Sequence, residues 1–148
     1  MKCSMCSNPE EYKKFQIKEY TYWKIELHGN QCYLGRCIVM LKRHIEDLFE
    51  ISPDERDELF QIVPLLKESL NKSFNPDMLN YTSLGNEVQH LHLHVIPRYK
   101  TTRQFADADF NDKRWGSNPS PYDKNFKVTD DVYNEIVKTI SLNLENRL

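Results

Sequence analysis

The chain has 148 residues, with 20 Lys plus Arg against 22 Asp plus Glu and a formal net charge of −2. That length suits one domain with a core of ordinary size, and the charge balance excludes the broad basic footprint of a protein that grips long nucleic acid. The longest clean apolar run, Cys37-Ile38-Val39-Met40-Leu41, falls far short of the roughly 20 residues of a membrane helix.

In chain order, the N-terminus Met1-Lys2-Cys3-Ser4-Met5-Cys6 has no apolar stretch suited to a signal peptide. The expectation is a soluble, cytoplasmic protein with no membrane partner. Aromatic residues make up 11% of the chain, which speaks against disorder. The first dozen residues are polar apart from Cys3 and Cys6. Over residues 21–28, Trp23, Ile25 and Leu27 alternate with Tyr22, Lys24, Glu26 and His28, the period of a half-buried strand. His28-Gly29-Asn30-Gln31 reads as a turn. Residues 36–42 are nearly all apolar and predict a buried strand.

Ser52-Pro53-Asp54-Glu55 is a helix start, with Ser52 as cap, Pro53 at the first helical position and Glu55 completing a capping box. Leu59, Ile62, Val63, Leu66, Leu70 and Phe74 then recur at helical spacing. Pro64 interrupts, at a cost of roughly 3 kcal/mol inside a helix. The apolar stripe continues past it, so the prediction is one long, Pro-kinked helix that stops at Asn75-Pro76-Asp77. Residues 78–84 and 89–96 read as strands joined through a Gly85-Asn86 turn, the second ended by Pro97. Residues 100–126 lack a period and predict a long loop, the sort of segment that often carries function. Thr129 or Asp130 caps a last helix, with Val132, Ile136, Val137, Ile140 and Leu144 on one face. The order predicts an α+β fold around an antiparallel sheet.

Three of the five histidines fall in His90-Leu91-His92-Leu93-His94. Residues two apart on a strand share a face, so the imidazoles line one side while Leu91, Leu93 and Val95 enter the core. A row of adjacent imidazoles suits a solvated surface poorly, because the rings repel once protonated. Two chemistries remain open. The row could hold a catalytic metal. Alternatively, one neutral imidazole could attack phosphorus and split a difficult displacement into two easier ones, with a backbone carbonyl holding its other nitrogen. Cys3-Ser4-Met5-Cys6 is a Cys-x-x-Cys pair that could supply half of a structural zinc site. A redox role is weaker, since the pair does not open a helix after a strand. Cys32 and Cys37 read as a loop cysteine and a small core residue. Trp115 could cover a nucleotide base or pack on the surface.

His90-Leu91-His92-Leu93-His94-Val95-Ile96 resembles the signature of the histidine triad (HIT) family. The segments Gly35-Arg36-Cys37-Ile38-Val39-Met40-Leu41-Lys42-Arg43-His44, Leu79-Asn80-Tyr81 and Pro97-Arg98-Tyr99 are similar to the family's bacterial and archaeal branch with an N-terminal Cys-x-x-Cys. The likeness covers about residues 1–100. It implies a single HIT domain over 1–148, with a zinc-binding segment 1–12 and a long loop segment 100–128. It further implies a homodimer and a nucleotide hydrolase acting on nucleoside-phosphate–X bonds, on dinucleoside polyphosphates or nucleoside phosphoramidates, with an adenosine-containing substrate.

By the same resemblance His92 is the nucleophile, forming a nucleotidyl-histidine, the His90 carbonyl holds its other nitrogen, and His94 sits by the phosphate or leaving group. Asn80, Gly85, Asn86, Glu87 and His28 fall where the family contacts substrate, although members usually carry Gln-Ser or Gln-Thr in place of Asn86-Glu87, and Asp or Asn in place of His28. Cys3, Cys6, His44 and His90 fall where the branch holds structural Zn2+. Two alternatives stay beside this reading. One is a dinucleoside polyphosphate phosphorylase or nucleotidyltransferase; the other is a zinc-stabilised nucleotide-binding or scaffold protein without turnover.

Overall fold

The computed structural model describes residues 3–7, 10 and 13–145, so part of the expected 1–12 segment lies outside the described residues. The elements are α1 (Ser4–Ser7), β1 (Gln16–Glu19), β2 (Trp23–Leu27), β3 (Cys37–Leu41), α2 (Pro53–Phe74), β4 (Met78–Thr82), β5 (His92–Arg98), β6 (Arg103–Phe105), β7 (Ala108–Phe110) and α3 (Asp130–Asn143). The first five strands form one sheet in the order β1-β2-β3-β5-β4. Every neighbouring pair in it is antiparallel. The α+β architecture expected from the element order is the one observed.

Helices α2 and α3 cover one face of the sheet. The expected capping box is present at Ser52 and Glu55, and α2 runs through Pro64 as a single helix. The hydrogen bond that Pro64 cannot make belongs to the Phe60 carbonyl. Phe60 is 75% exposed, so water can replace that bond. The buried side of α2 presents Leu59, Ile62, Leu66 and Leu70 to Trp23, Ile25, Val39 and Val95 of the sheet, and α3 adds Val132, Ile136 and Ile140. The two helices approach closely at Ser69, whose hydroxyl donates to the Ile140 carbonyl at 2.7 Å. Thr129 caps α3 through the Val132 N–H.

Gly35 precedes β3 with φ of 87°, and a Cβ there would lie 2.9 Å from the Phe74 ring. Glycine is therefore needed both for the left-handed turn and for the contact with α2. The next residue, Arg36, is thereby set immediately before β3, on the side of the sheet that carries His92 and His94.

The structure corrects the sequence expectation at several points. Strand β1 is absent from the sequence reading. It is a short edge strand with a single aliphatic residue, Ile17, and a register irregularity between Gln16 and Lys18, which erases the period of two. The strand expected at 89–96 is His92–Arg98. His90 therefore lies just before it, held by Leu91, whose N–H donates to the Ile45 carbonyl at 2.7 Å. Pro97 lies within β5 rather than ending it. The register with β3 stops at the Cys37–Val95 pair, so beyond it β5 has a partner only in β4 and one side needs no donor. The segment expected as a loop contains the β6–β7 hairpin. Its turn residues Ala106 and Asp107 have φ of 49° and 64°. Without the Asn-Gly or Asp-Gly pair that favours such a turn, the sequence conceals it.

Arg98 anchors the rest of that segment. Its guanidinium grips Asp112 twice, at 2.7 and 3.1 Å, and donates to the carbonyls of Arg114 and Ser117 at 2.7 and 2.9 Å. Both charged side chains are buried, at 3% and 0% exposure. Losing one partner of a buried pair strands the other charge, at about 3–5 kcal/mol. Asp112→Asn is thus expected to lower unfolding stability by about that amount in urea titration. A loss below about 1 kcal/mol would show that this pair does not hold the segment.

Candidate active site and metal centre

The sheet face opposite the helices carries the histidines. The β2–β3–β5 register sets Lys24, Met40 and His92 in one row and Glu26, Ile38 and His94 in the next. Leu91 and Val95 point the other way, into the core. His92 Nδ1–H donates to the His90 carbonyl at 2.6 Å. A carbonyl only accepts, so Nδ1 carries the proton and Nε2 keeps its lone pair. The Ser83 hydroxyl donates to the His92 carbonyl at 2.9 Å and ties the preceding turn to the strand. His92 lines a cavity of about 280 Å3 together with His94, His28, Arg36, Gly85, Asn86 and Glu87.

Beside His92, the rings of His94 and His92 meet edge to face with centroids 5.0 Å apart. Arg36 Nη2 donates to His94 Nδ1 at 3.2 Å. A guanidinium cannot accept, so in the neutral ring the proton is on Nε2. Burial first, and then the Arg36 charge, hold the His94 pKa down to about 3. The same two causes bring His28 to about 4. Both rings are therefore neutral near pH 7. His28 Nδ1 lies 3.0 Å from both the Asn30 N–H and the Asn30 carbonyl oxygen, and its ring lies 5.8 Å from that of His94. Tyr122 closes this side, with the Arg36 guanidinium 4.7 Å from its ring centroid. Tyr122 belongs to the segment that Arg98 and Asp112 secure.

The ring of His90 turns to a different cluster. Its Nε2–H donates to the Leu41 carbonyl at 2.6 Å, which leaves Nδ1 as an electron-pair donor. Cys3 Sγ and Cys6 Sγ each lie 3.4 Å from that Nδ1. His44 Nδ1 lies 3.2 Å from it and 3.7 Å from Cys6 Sγ. All four donor atoms fall within 4.8 Å of one another. Zinc bonds of roughly 2.0 Å to nitrogen and 2.3 Å to sulfur place tetrahedral donors about 3.3–3.8 Å apart, so the four spacings of 3.2–3.7 Å and the donor types suit a tetrahedral metal centre. His44 Nε2 faces Glu46 at 3.8 Å, the sort of outer partner that orients a ligating imidazole. His90 thus joins the two sites: its ring faces the metal donors and its carbonyl holds His92.

Of the remaining residues expected at the site, Gly85, Asn86, Glu87 and His28 line the His92 cavity. Asn80 stands apart: its side chain accepts from Arg98 at 2.9 Å and lines a separate cavity with Trp115. Cys37 is fully buried in β3, and burial drives its thiol pKa upward. Arg36, Tyr122, Ser120 and Met5 also line the His92 cavity, and the sequence reading gave none of them a role. Arg36 had a signal, since it directly follows the glycine before β3. The others come from segments remote in sequence.

The site is thus a buried imidazole with one nitrogen tied to a carbonyl, set in a histidine row on an antiparallel sheet. The HIT domain model matches residues 12–101, and the chain belongs to the HIT family. It is 32% identical over 75 residues to the protein called Protein hit of Bacillus subtilis, covering 47% of this chain and 52% of that one. It is 26% identical over 111 residues to the asymmetrical bis(5'-nucleosyl)-tetraphosphatase of Schizosaccharomyces pombe, covering 68% of this chain and 58% of that one. The chain thus spans little more than half the length of these two relatives. The crystal structure of a Zn-bound histidine triad family protein from Mycobacterium smegmatis has the same fold, with a TM-score of 0.66, 19% identity, and coverage of 97% and 94% of the two chains. Among the described residues no helix is long and apolar enough to cross a membrane.

Proposed function

We propose that this chain is a nucleotidyl hydrolase that cleaves nucleoside-phosphate–X bonds through His92, with dinucleoside polyphosphates or nucleoside phosphoramidates as the substrate class. The observation that carries the reading is the 2.6 Å bond from His92 Nδ1–H to the His90 carbonyl. It presents the Nε2 lone pair as the nucleophile and stabilises the positive charge that develops on the ring during attack. Nε2 bonds to the α-phosphorus as the bond from phosphorus to X breaks, and X leaves with the electron pair. His94, neutral and protonated at Nε2, donates to the phosphate or the departing atom. Water then breaks the phosphorus–nitrogen bond, releasing a nucleoside monophosphate and restoring His92. Gly85, Asn86 and Glu87 form the wall beside the reacting phosphate, and His28 is in position to meet the ribose. Zinc held by Cys3, Cys6, His44 and His90 would supply structural rigidity, fixing the His90 backbone whose carbonyl holds His92.

The name of the Schizosaccharomyces pombe relative supports a dinucleoside polyphosphate over other nucleotides. A panel of diadenosine tri- and tetraphosphate, an adenosine phosphoramidate and a guanosine analogue, each with and without inorganic phosphate, tests the reading. Release of nucleoside monophosphate without added phosphate is the expected result. A strict requirement for phosphate would make the protein a phosphorylase, and no release from any compound would leave a binding protein.

We also propose a homodimer built on β4, an edge strand of the sheet. Beside it Phe60, Val63, Pro64, Tyr81 and Leu93 line an apolar groove, and an edge beside apolar surface favours pairing with another strand. Sedimentation at micromolar concentration is expected to give twice the chain mass, and Phe60→Glu the chain mass. A wild-type monomer would refute the assembly.

A further inference from the structure

Arg36 differs from the other buried arginine in one respect. Arg98 is 2% exposed and fully paired with Asp112. Arg36 is 6% exposed, and among the described residues no carboxylate lies within 4.0 Å of its guanidinium. It contacts an imidazole nitrogen and the face of a tyrosine. Its buried Nε has no hydrogen-bond partner. A buried charge without a counter-ion is costly, and nothing in the core requires this one. The guanidinium lines the cavity that holds His92. An anion in this cavity would balance the charge, and guanidinium groups suit phosphate oxygens in charge and shape.

We propose that Arg36 is the phosphate-binding residue of this cavity, completing its charge with an anionic phosphoryl group of the ligand while its bond to Nδ1 positions His94. The phosphoryl group has the oxyanion chemistry of any phosphate or pyrophosphate; that it comes from a nucleotide rests on the function proposed above. Arg36 is a binding and positioning residue. It takes no part in bond making, and its guanidinium stays protonated throughout.

The test is calorimetric titration of the wild type, Arg36→Met and Arg36→Lys with adenosine, adenosine monophosphate and inorganic pyrophosphate. Arg36→Met is expected to weaken the two anions about tenfold or more, as for loss of a charge-assisted hydrogen bond, and to leave adenosine unchanged. Arg36→Lys restores part of that loss. Thermal melting adds a readout that a purely structural role would reverse: Arg36→Met is expected to melt no lower than the wild type, because it removes an unpaired buried charge. Nitrogen NMR of the wild type should show His94 as a single Nε2–H tautomer, and that measurement holds even if a variant fails to fold.

Equal weakening of adenosine and the monophosphate, or unchanged anion affinity in Arg36→Met, overturns the proposal while leaving nucleotide hydrolysis standing. Pyrophosphate binding that depends on Arg36, with no affinity for adenosine or its monophosphate, upholds the anion site and overturns the nucleotide reading. A wild type that binds none of the three overturns both.

Discussion

Replacing His92 by alanine is expected to reduce turnover to below about one per cent of wild type while nucleotide still binds, since loss of a covalent nucleophile removes the two-step route but little of the cavity wall. The bond to the His90 carbonyl shows why no neighbour substitutes. His94 has its Nδ1 committed to Arg36 at 3.2 Å, so it presents a proton at Nε2 where His92 presents a lone pair. His90 has its ring turned to the Cys3, Cys6 and His44 cluster. Rapid quenching with a substrate of good leaving ability should trap a nucleotide on His92 through an acid-labile phosphorus–nitrogen bond, read by mass spectrometry. Activity retained above about one per cent in His92→Ala would end the nucleophile assignment. A nucleotide found on His94 would reassign the role and keep the chemistry.

Cys3→Ser combined with Cys6→Ser is expected to lose bound metal and to melt well below the wild type, because binding energy at such a centre is folding energy. The purified wild type should carry about one zinc per chain, as a filled four-ligand site does. Activity should fall less than in His92→Ala, since the cluster reaches the reaction only indirectly, through the His90 backbone and through Met5 in the cavity wall. Elemental analysis and thermal melting decide this without any assay of turnover. A metal-free wild type that melts at the same temperature as the double variant would remove the zinc assignment.

The long helix illustrates what was legible in sequence. Ser52, Pro53 and Glu55 are local signals, and a cap needs no tertiary partner to form. The alternation of Trp23, Ile25 and Leu27 likewise survives folding, since all three side chains are buried in the core. The β6–β7 hairpin was illegible because Ala106 and Asp107 take positive φ without the residues that favour it. β1 was illegible because an irregular edge strand has almost no hydrophobic period. Periodicity made the histidine row legible only as a row; the family resemblance set His90 with Cys3, Cys6 and His44, and the structure brings those four donors within 4.8 Å of one another. Nothing in His90-Leu91-His92 says that the chain enters β5 only at His92, with the His90 ring bonded to Leu41 at 2.6 Å.

The α+β class, the capped helices, the buried strands and a line of imidazoles two residues apart follow from the sequence by itself, because they depend on periodicity and on contacts within a few residues. The tertiary structure supplied the distances of 3.4 Å from Cys3 and Cys6 to His90, a grouping that the family resemblance implied but that no local pattern gives across more than eighty positions of chain. It alone decided that Arg36 reaches His94 and Tyr122 with no carboxylate within 4.0 Å among the described residues. Such juxtapositions depend on strand order and register across β2, β3 and β5, and a sheet draws those neighbours from distant parts of the chain.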